Sequence, residues 1–294
     1  MQASTRRYDL LRKRLDRFTQ MLQGVDEGNV HALHQTRVAS RRLREILPVL
    51  QVNPGVARRL GRRLRKVTQR LGAVRELDVL CLLVEELSAS GRYDQQAMKK
   101  VASAVAEERK RVRGRMTDKL PINELRRIAG KLEHVAGDLE EQKSSRSWQW
   151  ALDARVTHRA LALKTALAEA GALYLPERLH VVRIALKKLR YACEVGADAS
   201  GANIKAELKA LKRGQDILGR LHDVQVLLDR IRRVQASLAT GDAVMSRRLD
   251  GVVIGLENEC RRLHARFMHQ KTAVVSACDR AGSLKGTSGR RAAS

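Results

Sequence analysis

The chain of 294 residues sets 58 Lys and Arg against 32 Asp and Glu, a formal net charge of +26, so its expected partner is a polyanion: nucleic acid, an anionic membrane surface or a polymer of phosphate. Aromatic residues make up only 3%, which weighs against recognition by stacking bases on rings. Cys81, Cys193, Cys260 and Cys278 are widely separated and form no C-x-x-C, which argues against a disulfide framework or zinc site and for buried free thiols in a reducing compartment.

No stretch approaches the roughly 18 apolar residues of a membrane span, and the N-terminus has no apolar signal core, so a cytoplasmic protein is expected. With four prolines and abundant Ala, Leu, Arg and Glu, the fold class is all-α. A first helix is expected from about Thr5 to Gln23, with Tyr8, Leu11, Leu15, Phe18 and Leu22 facing inward. Gly24 and Gly28 bracket a turn, Asn29 caps the next helix, and Pro48 and then Asn53-Pro54-Gly55 end it.

That second helix carries H-Q-T-R-V-A-S-R-R-L-R, His34 to Arg44. At about 100° per residue, Thr36, Ala39, Leu43, Ile46 and Leu47 share one face. His34, Arg37, Arg41 and Arg44 line the other, with Arg42 at its edge. The pattern returns as H-V-V-R-I-A-L-K-K-L-R, His180 to Arg190, where Val182, Ala185, Leu189, Ala192 and Cys193 oppose His180, Arg183, Lys187 and Arg190. Each line of cations extends roughly 15 Å at 1.5 Å per residue, too long for one small anion and suited to a row of them. A basic helix face is commonly just solvated surface. Like charges at neighbouring helical positions are mildly destabilising without counter-ions, however, and the doubling of the pattern favours an anionic partner.

A third helix from about Val56 places Leu60, Leu64, Val67, Leu71 and Val74 inward and Arg58, Arg59, Arg62, Arg63, Arg65, Lys66 and Arg70 outward. Beyond Arg75 the run L-D-V-L-C-L-L-V is apolar nearly all round and is expected to be buried on most sides, with Asp78 as a structural carboxylate. Helices follow from Asp94 to about Thr117 and, after Pro121, to about Gln142. Lys143 to Ser147 is a polar linker. The order then restarts with a helix from Trp148 to about Ala170, the His180 helix, and a loop from Gly196 to Gly201. A helix from Asn203 to about Ala239 presents Lys205, Lys209, Lys212, Arg213 and Arg220 outward, and a last helix runs from about Asp242 to Arg280. The expected organisation is therefore two helical bundle repeats, residues 1–142 and 148–280, with short loops joining antiparallel neighbours and a disordered basic tail over 281–294.

These residues resemble the CHAD family, the conserved-histidine alpha-helical domains. The resemblance rests on the two His-to-Arg segments, the second continuing into Tyr191, and on the segments Leu71 to Glu76 and Leu218 to Asp223, which share an L-G-x-x-[RH]-[ED] pattern. It covers the chain from about residue 5 to 280. It implies two four-helix bundles related by a pseudo-two-fold, a basic groove or pore, and binding of inorganic polyphosphate on polyphosphate granules. The binding positions it implies are His34, Arg37, Arg41, Arg42 and Arg44 in one half and His180, Arg183, Lys187, Lys188, Arg190 and Tyr191 in the other. Arg62, Arg63, Arg65 and Lys66, together with Lys205, Lys209, Lys212 and Arg213, would complete the surface. Glu76 stands where the family more often has Asp, and the helix after Pro121 has no counterpart in the second half. Many relatives are fused to a triphosphate-hydrolysing tunnel domain marked by E-x-E-x-K, a motif that does not occur here.

Catalysis is not expected. The sequence has no G-x-x-x-x-G-K-[ST] loop, no serine or threonine with an activating partner, and almost no carboxylate at the candidate site to hold a catalytic metal. His31 and His34 lie three apart without a carboxylate or thiolate at ligand spacing, so neither a metal nor a cofactor is expected. The leading expectation is a binding module for inorganic polyphosphate or similar phosphate and sulfate anions, with arginine forks taking oxygens in pairs and lysines acting as point charges. The alternative is a basic helical protein that binds nucleic acid. Net charge favours it equally, but a short recognition helix, a long basic tail and stacking aromatics are all missing.

Overall fold

Helix dominates the described residues, as the chain's few prolines and many alanines and leucines dictate. The structure, a computed structural model, describes residues 7–117, 122–141, 147–238 and 242–282, and among them there is no strand. In chain order the helices are α1 (Arg7–Thr19), α2 (Leu22–Asp26), α3 (Val30–Ile46), α4 (Pro54–Ala89), α5 (Gln95–Thr117), α6 (Ile122–Glu141), α7 (Ser147–Ala170), α8 (Pro176–Ser200), α9 (Lys205–Ala236) and α10 (Ala243–Gly282). None of them is long and apolar enough to cross a membrane. The expected break at Pro121, the linker residues 143–146 and the tail from residue 283 lie outside the described residues.

Asn29 caps α3 as its sequence position predicts: its side chain accepts from the backbone N–H groups of His31 and Ala32 at 2.9 and 3.1 Å, satisfying two of the helix's orphan donors. Other boundaries differ from the sequence reading. The first helix is two, α1 and α2, and Gly24 lies inside α2 rather than at a turn. A Cβ there would sit 2.8 Å from the Cβ of Ala32, so the glycine allows α2 and α3 to approach. Gly28, with φ +71°, is the residue that turns the chain. The loop expected from Gly196 to Gly201 is also corrected. Without a proline to stop it, α8 continues to Ser200 and ends at Gly201, whose φ of 69° forms a left-handed C-cap. Residues 281 and 282, expected in the tail, belong instead to α10, which runs through Gly282.

The chain forms two compact units. The first comprises Met1–Thr68, Pro121–Gln215 and Gln270–Ser294, and the second Gln69–Leu120 and Asp216–His269. Each unit draws on both halves of the sequence repeat, because α4, α9 and α10 each contribute one stretch to each unit. In the first unit α1 packs on α3 and α6, α7 on α8, and α3 on α8. Leu11, Leu15 and Phe18 of α1 are fully buried, each contributing about 1.5–3 kcal/mol of apolar burial. Leu125, Ile128, Leu132 and Leu139 of α6 and Trp148 of α7 are buried in the same unit.

In the second unit, Leu71, Val74, Leu80 and Val84 of α4, Val101 and Val105 of α5, Leu221, Leu227 and Ile231 of α9, and Leu256 and Phe267 of α10 form the core. Asp78, 4% exposed, accepts from Arg109 Nε at 2.7 Å and is the structural carboxylate expected. The apolar run around it is less enclosed than its composition suggests, since Leu82 is 58% exposed. Cys193, Cys260 and Cys278 are buried free thiols and Cys81 is half-buried.

Candidate anion-binding surface

The binding positions implied by the resemblance fall in the first compact unit, whereas the outward Arg70 and Arg220 belong to the second. On α3, His34, Arg37, Arg41, Arg42 and Arg44 are half-buried. On α4, Arg62, Arg65 and Lys66 are exposed and Arg63 is half-buried, 3.6 Å from Glu124. On α8, His180, Arg183, Lys187 and Arg190 are half-buried and Lys188 is exposed. Nε of Arg37 and Nε of Arg183, the corresponding arginines of the two motif copies, are both buried. Lys205, Lys209, Lys212 and Arg213 are exposed on α9.

These positions divide by what surrounds them. Arg42 and Arg190 are held by an internal acid: Glu194 Oε2 accepts from Arg42 Nε at 3.0 Å, and its Oε1 accepts from Arg190 Nη1 at 2.7 Å. Arg190 Nε also donates to Gln215 at 2.8 Å, and its guanidinium lies 4.9 Å from the ring centroid of Tyr191. Tyr191 itself is 6% exposed and belongs to the core beneath that arginine.

Arg41, Arg44, Arg65 and Lys188 are different. Among the described residues none of them forms an ion pair, and they crowd one another. Burial lowers the pKa of Arg44 first, and the neighbouring charges of Arg65, Arg41 and Arg159 lower it further, with only Glu45 acting against them. Lys188 is likewise held below the ordinary lysine value, by partial desolvation and then by Arg159, Arg44 and Arg65, again with Glu45 opposing. Four helices thus contribute: α3, α4, α7 and α8.

Sequence reasoning missed the contribution of α7. Arg155 Nε and Arg159 Nε donate to the same oxygen of Glu45, at 2.8 and 3.1 Å, and Glu45 is only 7% exposed. Arg155 and Arg159 stand in an Ala- and Leu-rich helix without a basic stripe, so periodicity gave no signal. A signal for Glu45 did exist, as an acidic residue between Leu43 and Ile46 in the apolar face of α3. The result is a cluster of Arg41, Arg44, Arg65, Arg155, Arg159 and Lys188 around one buried carboxylate. Such a cluster is a reservoir of charge repulsion that an anion relieves, and its guanidinium forks match tetrahedral oxyanions.

At His180 the charged form of the imidazole is disfavoured. Burial first, and then the charges of Arg183 and Lys187, hold its pKa below the ordinary histidine value. Among the described residues no group of three or more His, Cys, Asp and Glu is placed to hold a metal ion.

The fold and these residues define an all-α protein in which arginines and lysines from several helices converge. The chain belongs to the CHAD domain family, whose model matches residues 9–232. It is similar to the crystal structure of the CHAD domain from the plant Ricinus communis, with a TM-score of 0.59 at 21% identity over 94% of this chain and 90% of that one. It is similar also to PptA from Streptomyces chartreusis, with a TM-score of 0.58 at 19% identity over 94% of this chain and 98% of that one. At such identities the likeness speaks to the fold. No curated protein sequence matches the chain.

Proposed function

We propose that this protein binds inorganic polyphosphate through the first compact unit, as a binding module rather than a hydrolase, and that it resides on polyphosphate granules in the cytoplasm. The observation that carries the reading is the cluster of Arg41, Arg44, Arg65, Arg159 and Lys188, whose mutual repulsion is opposed, among the described residues, by Glu45. A baseless phosphate polymer supplies closely spaced negative oxygens and requires no aromatic surface, which suits a chain with 3% aromatic residues. Glu45 is engaged by Arg155 and Arg159, so it is poorly placed to ligate a catalytic metal.

The test is retention of long-chain polyphosphate on filter-bound protein, with equal charge concentrations of duplex DNA as competitor. Wild type is expected to retain polyphosphate in the presence of DNA, and the Arg41→Glu/Arg44→Glu variant to lose it while keeping its helical circular dichroism. Displacement by DNA, or undiminished retention by the variant, contradicts the reading. A tagged chain should also follow granules in cells that make polyphosphate and become diffuse in cells that do not.

A further inference from the structure

A second face of α3 lines a cavity that the basic motif does not explain. It has a volume of about 210 Å³ and is lined by Arg14, Arg17, Gln20, Met21, His31, Gln35, Val38, Ala39 and Arg42, without a carboxylate. His31, Gln35, Val38 and Arg42 are spaced i, i+4, i+7, i+11 and form one stripe. At 100° per residue that stripe points about 110° away from the line of His34, Arg37, Arg41 and Arg44. The cavity therefore opens on other neighbours, namely the end of α1 and the turn that follows it.

Three arginines supply the polar wall. Arg14 is 5% exposed; its Nη2 donates to Asp198 at 2.7 Å and its Nη1 to the carbonyl of Leu10 at 3.0 Å, while its buried Nε has no hydrogen-bond partner. Burial holds its pKa down, with Asp198 opposing. Arg42 is held by Glu194, 2.9 Å from its Nη2. Arg17 is exposed and, among the described residues, forms no ion pair. Lys13, which also reaches Asp198, lines an adjoining cavity of about 220 Å³ that shares Arg14, Arg17 and Arg42. Lys13, Arg14, Arg17 and Arg42 face two carboxylates there, Glu194 and Asp198, so positive charge remains in excess.

The repeat itself gives a control. In the register that pairs His34 with His180, the counterparts of His31, Gln35, Val38 and Arg42 are Glu177, Val181, Ile184 and Lys188, and Val181 and Ile184 are exposed. The second copy thus carries an acid and two aliphatics where the first carries a histidine, an amide and a valine. The polar lining is a property of this site and no by-product of the duplicated motif.

We infer that this α1–α3 cavity is a separate site for a compact phosphate-rich anion, a diphosphate group bound by Arg14, Arg17 and Arg42 with the side-chain amides of Gln20 and Gln35 as further donors. Arginine supplies paired donors for phosphate oxygens, and amides add neutral donors that select for shape. A volume of about seven waters at roughly 30 Å³ each suits such a group and not a stretch of polymer. Two sources share this chemistry: free pyrophosphate and the end of a short phosphate chain.

The experiment is calorimetric titration of the full chain with sodium pyrophosphate. Wild type is expected to bind about one equivalent. Arg17→Glu, on an exposed side chain, should weaken binding at least about tenfold, and the charge-neutral Gln35→Leu about fivefold. The Arg44→Glu/Lys188→Glu variant of the other cluster should keep pyrophosphate affinity within about twofold. Unchanged binding by both Arg17→Glu and Gln35→Leu overturns the proposal, as does loss of binding in Arg44→Glu/Lys188→Glu. The last variant separates the two claims, because its failure to lose long-chain polyphosphate contradicts the proposed function while leaving this site standing. Displacement of pyrophosphate by tripolyphosphate identifies chain ends as occupants, and failure of tripolyphosphate to displace it identifies the free diphosphate. Equal displacement by long-chain polyphosphate at the same total phosphate would show chain interiors entering the cavity and overturn the assignment to a compact anion.

Discussion

Arg42 of α3 and Arg190 of α8 are bound to opposite oxygens of one carboxylate, Glu194, at 3.0 and 2.7 Å. Their side chains are 26% and 17% exposed and that of Glu194 is 19% exposed, so the triad lies between a surface pair and a buried one. Two helices from different halves of the chain are tied by it, and two members of the basic motif are held in place by an internal acid. Glu194→Ala is expected to destabilise the protein by about 2 kcal/mol, between the values typical of exposed and buried pairs. At roughly 2–4 °C per kcal/mol for a chain of this size, thermal unfolding should show a midpoint about 4–8 °C lower. Polyphosphate retention should be no weaker than wild type, because the change removes an acid and no cation.

Glu45 offers the converse case. It is the carboxylate that restrains a cluster otherwise composed of cations, and it holds Arg155 and Arg159 directly. Glu45→Gln is expected to lower the stability of the free protein by about 1–3 kcal/mol and to tighten polyphosphate binding. Added polyphosphate at about 100 times its Kd should return about 2.7 kcal/mol. Chemical denaturation with and without the polymer measures both. A variant that is equally destabilised with and without polyphosphate would place Glu45 outside the binding surface.

His180 predicts opposite pH responses for the free and bound protein. Its folded pKa lies below the ordinary histidine value, so the unfolded chain takes up the proton first. Its contribution to the free protein is therefore lost as pH falls below about 6.5. A bound polyanion supplies negative charge and raises the pKa, so polyphosphate affinity should increase as pH falls from 8 to 6. His180→Ala should flatten this rise. An affinity that is the same at pH 6 and pH 8 in wild type would remove His180 from the site.

The basic stripes were legible in the sequence because a helix face repeats every three or four residues, and a run such as His34, Arg37, Arg41 and Arg44 registers that period directly. What those cations meet was not legible. Whether an arginine is answered by Glu194 or left to repel Arg65 depends on contacts between elements far apart in the chain. Arg155 and Arg159 were missed for the same reason. The compact units could not be read from the order of the motifs, because α4, α9 and α10 are long enough to contribute to both units. Individual ends were misread where local signals were ambiguous. Gly24 looks like a turn residue but serves a close approach to Ala32, whereas Gly196 is carried through a helix that has no proline to end it.

The thiols give an independent check of the fold. Burial pushes the pKa of Cys193 and of Cys278 up to about 12, so neither is a thiolate at neutral pH, and Cys260 is buried as well. Titration of the native protein with a thiol-specific chromogenic disulfide at pH 7.5 should modify Cys81 alone and slowly, and all four cysteines after denaturation. Rapid modification of Cys193 or Cys278 in the native protein would contradict their placement.

The central claim, that Arg44, Arg65 and Lys188 together grip a phosphate polymer, is tested most directly by the salt dependence of polyphosphate affinity. Each phosphate contact made by a cation releases counter-ions and steepens the fall of log K with log salt. The triple variant Arg44→Gln/Arg65→Gln/Lys188→Gln is predicted to bind at least about a hundredfold more weakly than wild type at low salt and to show a slope shallower by about 2. A variant with wild-type affinity and an unchanged slope would show that the polymer lies elsewhere.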